Sequence, residues 1–156
     1  MSHYVDADGH IMEKAADLIG YLEEPWRSAD TVAERRLLPS LDEFHTPQLR
    51  KKGTFDFNVG PEQWLQYLDK TGLESTVLYT TTALAYGHVV IPEWAVAYAR
   101  AWNNYVHETY LRKSPRLKAM ALIPGVGGSI LLLSWVSSQL SYRVTRKRTR
   151  RRCPSR

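Results

Sequence analysis

Asp8-Gly9-His10 sets a carboxylate and an imidazole two residues apart, just after Tyr4-Val5-Asp6-Ala7. The segment reads as a β-strand, and in an extended chain side chains two apart point to one face. Asp8 Oδ and His10 Nε2 can therefore converge on one point, as two ligands of a single metal ion must. Aspartate and histidine together suit zinc, manganese or iron. The plainer alternative is that Asp8 caps a turn and His10 is a partly buried loop histidine. Asp6 is expected on the same strand face, one pleat deeper. A carboxylate there must be hydrogen-bonded or neutral, so Asp6 reads either as support for the pair or as a purely structural residue.

Other chemistry is thinly represented. Gly125-Val126-Gly127-Gly128 lacks the Lys and Ser/Thr of a phosphate-binding loop. No G-x-S-x-G nucleophile elbow is present, and no Ser-His-Asp set suggests itself. Cys153 is the only cysteine, so neither a disulfide framework nor a cysteine-based zinc site is expected.

The elements that would position Asp8 and His10 follow from periodicity and punctuation. Residues 3–8 read as the first strand, and Glu13 to Tyr21 as a short helix that ends before Pro25. Residues 25–60 hold five Pro or Gly residues among charges and read as an irregular excursion. Its Phe44, Phe55 and Phe57 are expected to tuck under the loop. Gly60-Pro61-Glu62 opens a helix whose stripe is Trp64, Leu65, Leu68 and Leu73, with Gly72 as its stop. Ser75 to Thr80 is a buried parallel strand of β-branched and aromatic residues. Pro92 to about Lys113 is the longest helix, with Trp94, Ala97, Tyr98, Ala101, Trp102, Tyr105 and Val106 at three- and four-residue steps. Leu117 to Ile123 is the third strand. Strand, helix, strand in alternation makes βαβ units and an α/β fold.

Charge divides the chain of 156 residues, whose formal net charge is +5. All 16 acidic residues lie at or before Glu108, whereas 8 of the 21 lysines and arginines fall in 143–156. The first 142 residues are thus net acidic, and the basic balance belongs to the tail. No specific nucleic-acid partner is expected, because no aromatic platform or groove-reading motif accompanies the basic run. Residues 119–142 carry no charge after Lys118 and could be taken for a membrane span with a basic flank. Pro124 and its glycines make it a poor one. Met1-Ser2-His3 lacks the features of a signal peptide, so a cytoplasmic location is the default.

The run Val5-Asp6-Ala7-Asp8-Gly9-His10-Ile11-Met12-Glu13, with Ala16-Asp17-Leu18 and Tyr21 to Arg27, resembles the N-terminus of the amidohydrolase-related family. That family includes metal-dependent decarboxylases of the aminocarboxymuconate-semialdehyde and resorcylate type. The likeness continues through Glu62-Gln63-Trp64-Leu65, Leu68-Asp69, Gly72-Leu73-Glu74 and Val77-Leu78-Tyr79. It extends to Ala99-Arg100-Ala101-Trp102-Asn103-Asn104 and Pro115 to Pro124, so it covers roughly residues 4–124.

The resemblance implies a (β/α)8 barrel, a fold of about 250 residues. The expectation is an incomplete barrel of three βα units over residues 1–124, followed by a divergent, disordered tail over 125–156. A disruption of the reading frame or gene near Pro124 would account for the change of character. The resemblance further implies that Asp8 and His10 are metal ligands, with zinc or manganese as the ion, incompletely liganded by this chain. Glu13 matches a family position just beyond the pair; it either backs the site or sits early in a helix, where negative charge is favoured. His88, after the second strand, would face the substrate side, as His45 would on its own loop. His107 reads as packing or surface. Thr80-Thr81-Thr82, at the end of the second strand, could offer hydroxyls to a ligand. Arg100 and Asn103 read as helix-to-barrel hydrogen bonding.

The activity implied is that of a hydrolase or decarboxylase acting on a small carbonyl or carboxylate compound, with homo-oligomer formation left open. Two alternatives stand beside it: a non-catalytic remnant with unpaired sheet edges, and tail-mediated membrane or nucleic-acid association.

Overall fold

A computed structural model describes residues 4–28, 37–38 and 59–124 of the chain. Three parallel strands, β1 (Val5–Ile11), β2 (Ser75–Thr80) and β3 (Leu117–Ala119), form one sheet in the order β1-β2-β3. Helices α1 (Ala15–Ile19), α2 (Pro61–Thr71) and α3 (Pro92–Val106) lie between them in the chain. The fold is mixed α/β, and the sheet of the described residues is not closed.

The α2–β2 unit follows its residue types closely. Pro61 takes the first turn of α2, where its missing N–H leaves no helical bond unmade. Gly72 ends the helix at φ 71°, a left-handed conformation that only glycine adopts without strain. Leu68 is fully buried, with Trp64, Leu65 and Leu73 packed around the core. In β2, five of six residues are buried, as expected of a central strand covered on both faces.

α3 supplies more of the core than any other element. Tyr98, Ala101 and Trp102 are fully buried, and the Trp102 indole N–H donates to Met120 O at 3.3 Å. Asn103 works as a side-chain rung: its amide donates to Leu122 O and its carbonyl accepts from Leu122 N, both at 2.9 Å. Asn103 thus ties α3 to the segment just after β3, while Arg100 instead pairs with exposed Glu23 at 3.2 Å.

Several boundaries differ from expectation. β1 starts at Val5 and runs through the whole Asp8-Gly9-His10 motif to Ile11. The long helix ends at Val106 and passes into a π-turn over His107–Leu111. β3 is regular only over three residues, with isolated bridges at Met120 and Ile123. α1 is short and begins at Ala15, so Glu13 lies outside it. Phe44, His45, Phe55, Phe57 and the tail over 125–156 lie outside the described residues. Among the described residues no helix is long and apolar enough to cross a membrane.

The register of β1 on β2 shapes the site. Asp6 pairs with Thr76 but Gly9 pairs with Leu78, so β1 spends one more residue than β2 over this stretch. An extra residue in one strand is a β-bulge, and it reverses the alternation of faces beyond it. Asp6 therefore shares a face with Thr76, while His10 pairs with Tyr79 on the other face. The expectation that Asp6 sits below His10 on one face is overturned by this extra residue.

Gly9 is what lets the bulge close. A β-carbon there would lie 2.4 Å from Thr76 Oγ1, 3.1 Å from Trp64 and 3.2 Å from Leu78. Asp6 completes it: one carboxylate oxygen accepts from the Thr76 hydroxyl at 2.9 Å, the other from Asp8 N at 3.1 Å. Half-buried Asp6 is hydrogen-bonded through both oxygens, and it clamps the backbone that carries Asp8.

Candidate metal centre

β1 presents Asp8 from within the bulge and His10 just past it, next to last in the strand. Asp8 Oδ1 and His10 Nε2 lie 3.4 Å apart, with the two side chains 86% and 36% exposed respectively. Two ligands on a tetrahedral ion with bonds of about 2.1 Å stand about 3.4 Å from one another, so this spacing suits a shared cation. The same distance also suits an ion pair when His10 is protonated. Among the described residues no group of three or more His, Cys, Asp or Glu side chains gathers here.

His10 is held on its inner side. Its Nδ1 is 3.1 Å from Thr81 Oγ1, and its ring stacks on Tyr79 with centroids 5.9 Å apart and planes at 27°. With Nδ1 engaged, Nε2 is the nitrogen turned toward Asp8. Metal-binding histidines commonly show this division, one nitrogen on the ion and the other in an outer hydrogen bond.

Behind this pair lies Glu13, which is 6% exposed. The turn leaving β2 wraps around its carboxylate. Thr82 N donates to Oε1 at 2.9 Å, Ala83 N to Oε1 at 3.2 Å and Thr81 N to Oε2 at 3.1 Å. The Thr80 hydroxyl donates to Oε1 as well, and the Thr82 hydroxyl donates to the Glu13 carbonyl at 3.1 Å. Burial pushes the Glu13 carboxyl above its ordinary range, and the bonds from Thr80, Thr81 and Ala83 oppose that rise. The reading of Glu13 as an early helical residue is overturned. It precedes α1 and ties the end of β1 to the end of β2.

The three threonines thus have inward tasks. Thr80 and Thr82 bond Glu13, and Thr81, between them, bonds His10. The expectation that this run offers its hydroxyls to a ligand missed that role; residue type alone does not show which way each hydroxyl turns. His88 ends the 3₁₀ segment Thr82–His88 and is exposed. Among the described residues no hydrogen bond or ion pair ties it to Asp8 or His10. His107 begins the π-turn and is half-buried, far along the chain from the pair.

Comparison with protein-family models and with curated proteins returns no match to this chain. The family resemblance therefore rests on the sequence blocks alone.

Proposed function

We propose that the chain carries the opening of an amidohydrolase-type (β/α)8 barrel, with Asp8 and His10 as two ligands of a divalent zinc or manganese ion. The activity proposed is hydrolysis or decarboxylation of a small carbonyl or carboxylate compound. The observation that carries this reading is the convergence of Asp8 Oδ1 and His10 Nε2 to 3.4 Å, with His10 near the carboxyl end of a parallel strand. Barrels of this class place their chemistry at that end of the strands. Three parallel strands in consecutive order, joined through helices, are also what the first units of such a barrel supply.

A bound ion would polarise a carbonyl or carboxylate oxygen. The chain's own part is to hold it: Asp8 with a carboxylate oxygen, His10 with Nε2, and Tyr79 as a flat wall beside the imidazole. Two protein ligands hold an ion weakly. A closed barrel has eight strands, so further ligands have to come from outside the described residues.

Calorimetric titration of the purified chain with zinc and with manganese tests this. One ion per chain is expected, and D8N and H10N should each abolish the heat while leaving the far-ultraviolet circular dichroism unchanged. Equal binding by wild type and both variants contradicts the assignment.

A second reading, a non-catalytic remnant that persists by association, is favoured by the sheet itself. Among the described residues β1 and β3 each pair with β2 alone, and open edges promote association. A monomer with a cooperative thermal transition would remove it.

A further inference from the structure

We propose that Thr81 is the positioning residue of the His10 imidazole and that Glu13 acts through it. The proposal rests on the reading of Asp8 and His10 as ligands, but its structural part can be tested without a metal.

Thr81 stands between two fixed points. Its backbone N–H reaches both Ile11 O, at 3.1 Å, and Glu13 Oε2, also at 3.1 Å. The first contact extends the β1–β2 pairing past the last strand residue, and the second anchors the turn to a buried carboxylate. Thr80 and Thr82, on either side, are held to the same glutamate. Thr81 itself has little freedom to move along the strand or rotate about it.

Its hydroxyl is the one of the three turned to the His10 face. The chain leaves β2 after Thr80 and turns at Thr81, where φ −95° and ψ −48° are helical values, so the three hydroxyls diverge. When Thr81 Oγ1 accepts from Nδ1–H, Nε2 keeps its lone pair and faces Asp8 Oδ1. A hydroxyl can donate or accept, so the contact holds the ring in place in either tautomer, and losing an outer hydrogen bond to a ligand commonly costs about 10–100-fold in metal affinity. Stacking on Tyr79 limits tilt of the ring but cannot distinguish its two nitrogens. Among the described residues, the hydroxyl contact is the hydrogen bond that keeps Nδ1 on the inner side.

The order of dependence is then explicit. Glu13 fixes the turn, the turn fixes Thr81, and Thr81 holds Nδ1 inward so that Nε2 faces out. None of these inner groups needs to touch substrate.

The test uses near-isosteric variants of the whole chain. T81V removes the hydroxyl and keeps the backbone N–H, whereas T81S keeps both. Long-range proton–nitrogen NMR of the metal-free protein at about pH 8, where an ordinary imidazole is neutral, reads the His10 ring nitrogens, assigned with H10N. Exposed His88 serves as the internal reference. In wild type and T81S the two His10 nitrogens should differ from those of His88. In T81V they should move toward His88, with the thermal midpoint held. E13Q, which cannot accept on both oxygens, should shift His10 in the same direction as T81V. Zinc affinity should fall about 10–100-fold in T81V and recover in T81S. His10 signals identical in wild type and T81V overturn the proposal. Wild type that binds no zinc overturns the ligand reading instead, and the ring signals still judge Thr81.

Discussion

The two ends of this small sheet use their polar groups in opposite ways. At the amino end, Arg116 closes every gap: its guanidinium donates to Glu74 O at 2.9 Å and Leu73 O at 2.9 Å, and meets Asp69 at 2.6 Å. Glu74 N donates to Tyr4 O at 2.8 Å in the same region. Those bonds join α2, β1, β2 and the approach to β3, and they satisfy one another. At the carboxyl end, Glu13 and the three threonines form a similarly closed inner layer. Outside it, Asp8 Oδ1 and His10 Nε2 are turned outward toward one point. One end is spent on holding strands together, and the other holds strands together in order to present two donor atoms. The proposed barrel reading expects such an asymmetry, because barrels place their chemistry at the strands' carboxyl ends.

The sharpest way to break the carboxyl end is at Gly9. G9A drives a methyl to within 2.4 Å of Thr76 Oγ1, and overpacking of this kind costs about 1–3 kcal/mol. Chemical denaturation should show that loss, together with loss of metal binding, because the same bulge sets the face of His10. A G9A protein as stable as wild type would mean that β1 does not approach β2 this closely.

R116A attacks the amino end. Its hydrogen bonds involve a charged donor, but the side chain is 35% exposed, so solvent screening discounts them and the expected loss is about 1 kcal/mol. Zinc binding should be unchanged. A variant that loses metal and stability together would show that the two ends are not separable.

A smaller effect follows from pH. Burial raises the Glu13 carboxyl, so its folded value stands above its unfolded one. Its contribution to stability is fully present below the unfolded value, near 4.5, and is lost as pH rises through the folded one. Thermal midpoints of wild type relative to E13Q should therefore decline with rising pH over that window. A relative midpoint that climbs instead would reverse the sign. The least effect is expected at Tyr98, whose buried hydroxyl has no partner among the described residues. Y98F should leave stability unchanged or raise it by up to about 1 kcal/mol.

What the sequence made legible follows the strength of its local signals. Gly60-Pro61 and Gly72 carry backbone requirements of their own, and α2 begins and ends where they stand. The β-branched run at 75–80 could be buried only as a strand, and it is one. The bulge in β1 was not legible, because it arises from Asp6, Gly9 and Thr76 meeting across 70 residues of chain. Neither was the task of Glu13. Spacing placed it near a helix start, whereas its partners come from a turn about 70 residues away. The Asp8–His10 pairing is the reverse case: two-residue spacing in a strand is a local property, and the structure brings the two donor atoms together.

Anomalous diffraction at the zinc edge, from crystals of the chain soaked in zinc, reads the Asp8–His10 pair itself. A peak within bonding distance of both Asp8 Oδ1 and His10 Nε2 is expected. Zinc bound elsewhere with that position empty, or the two side chains turned apart, would contradict the assignment.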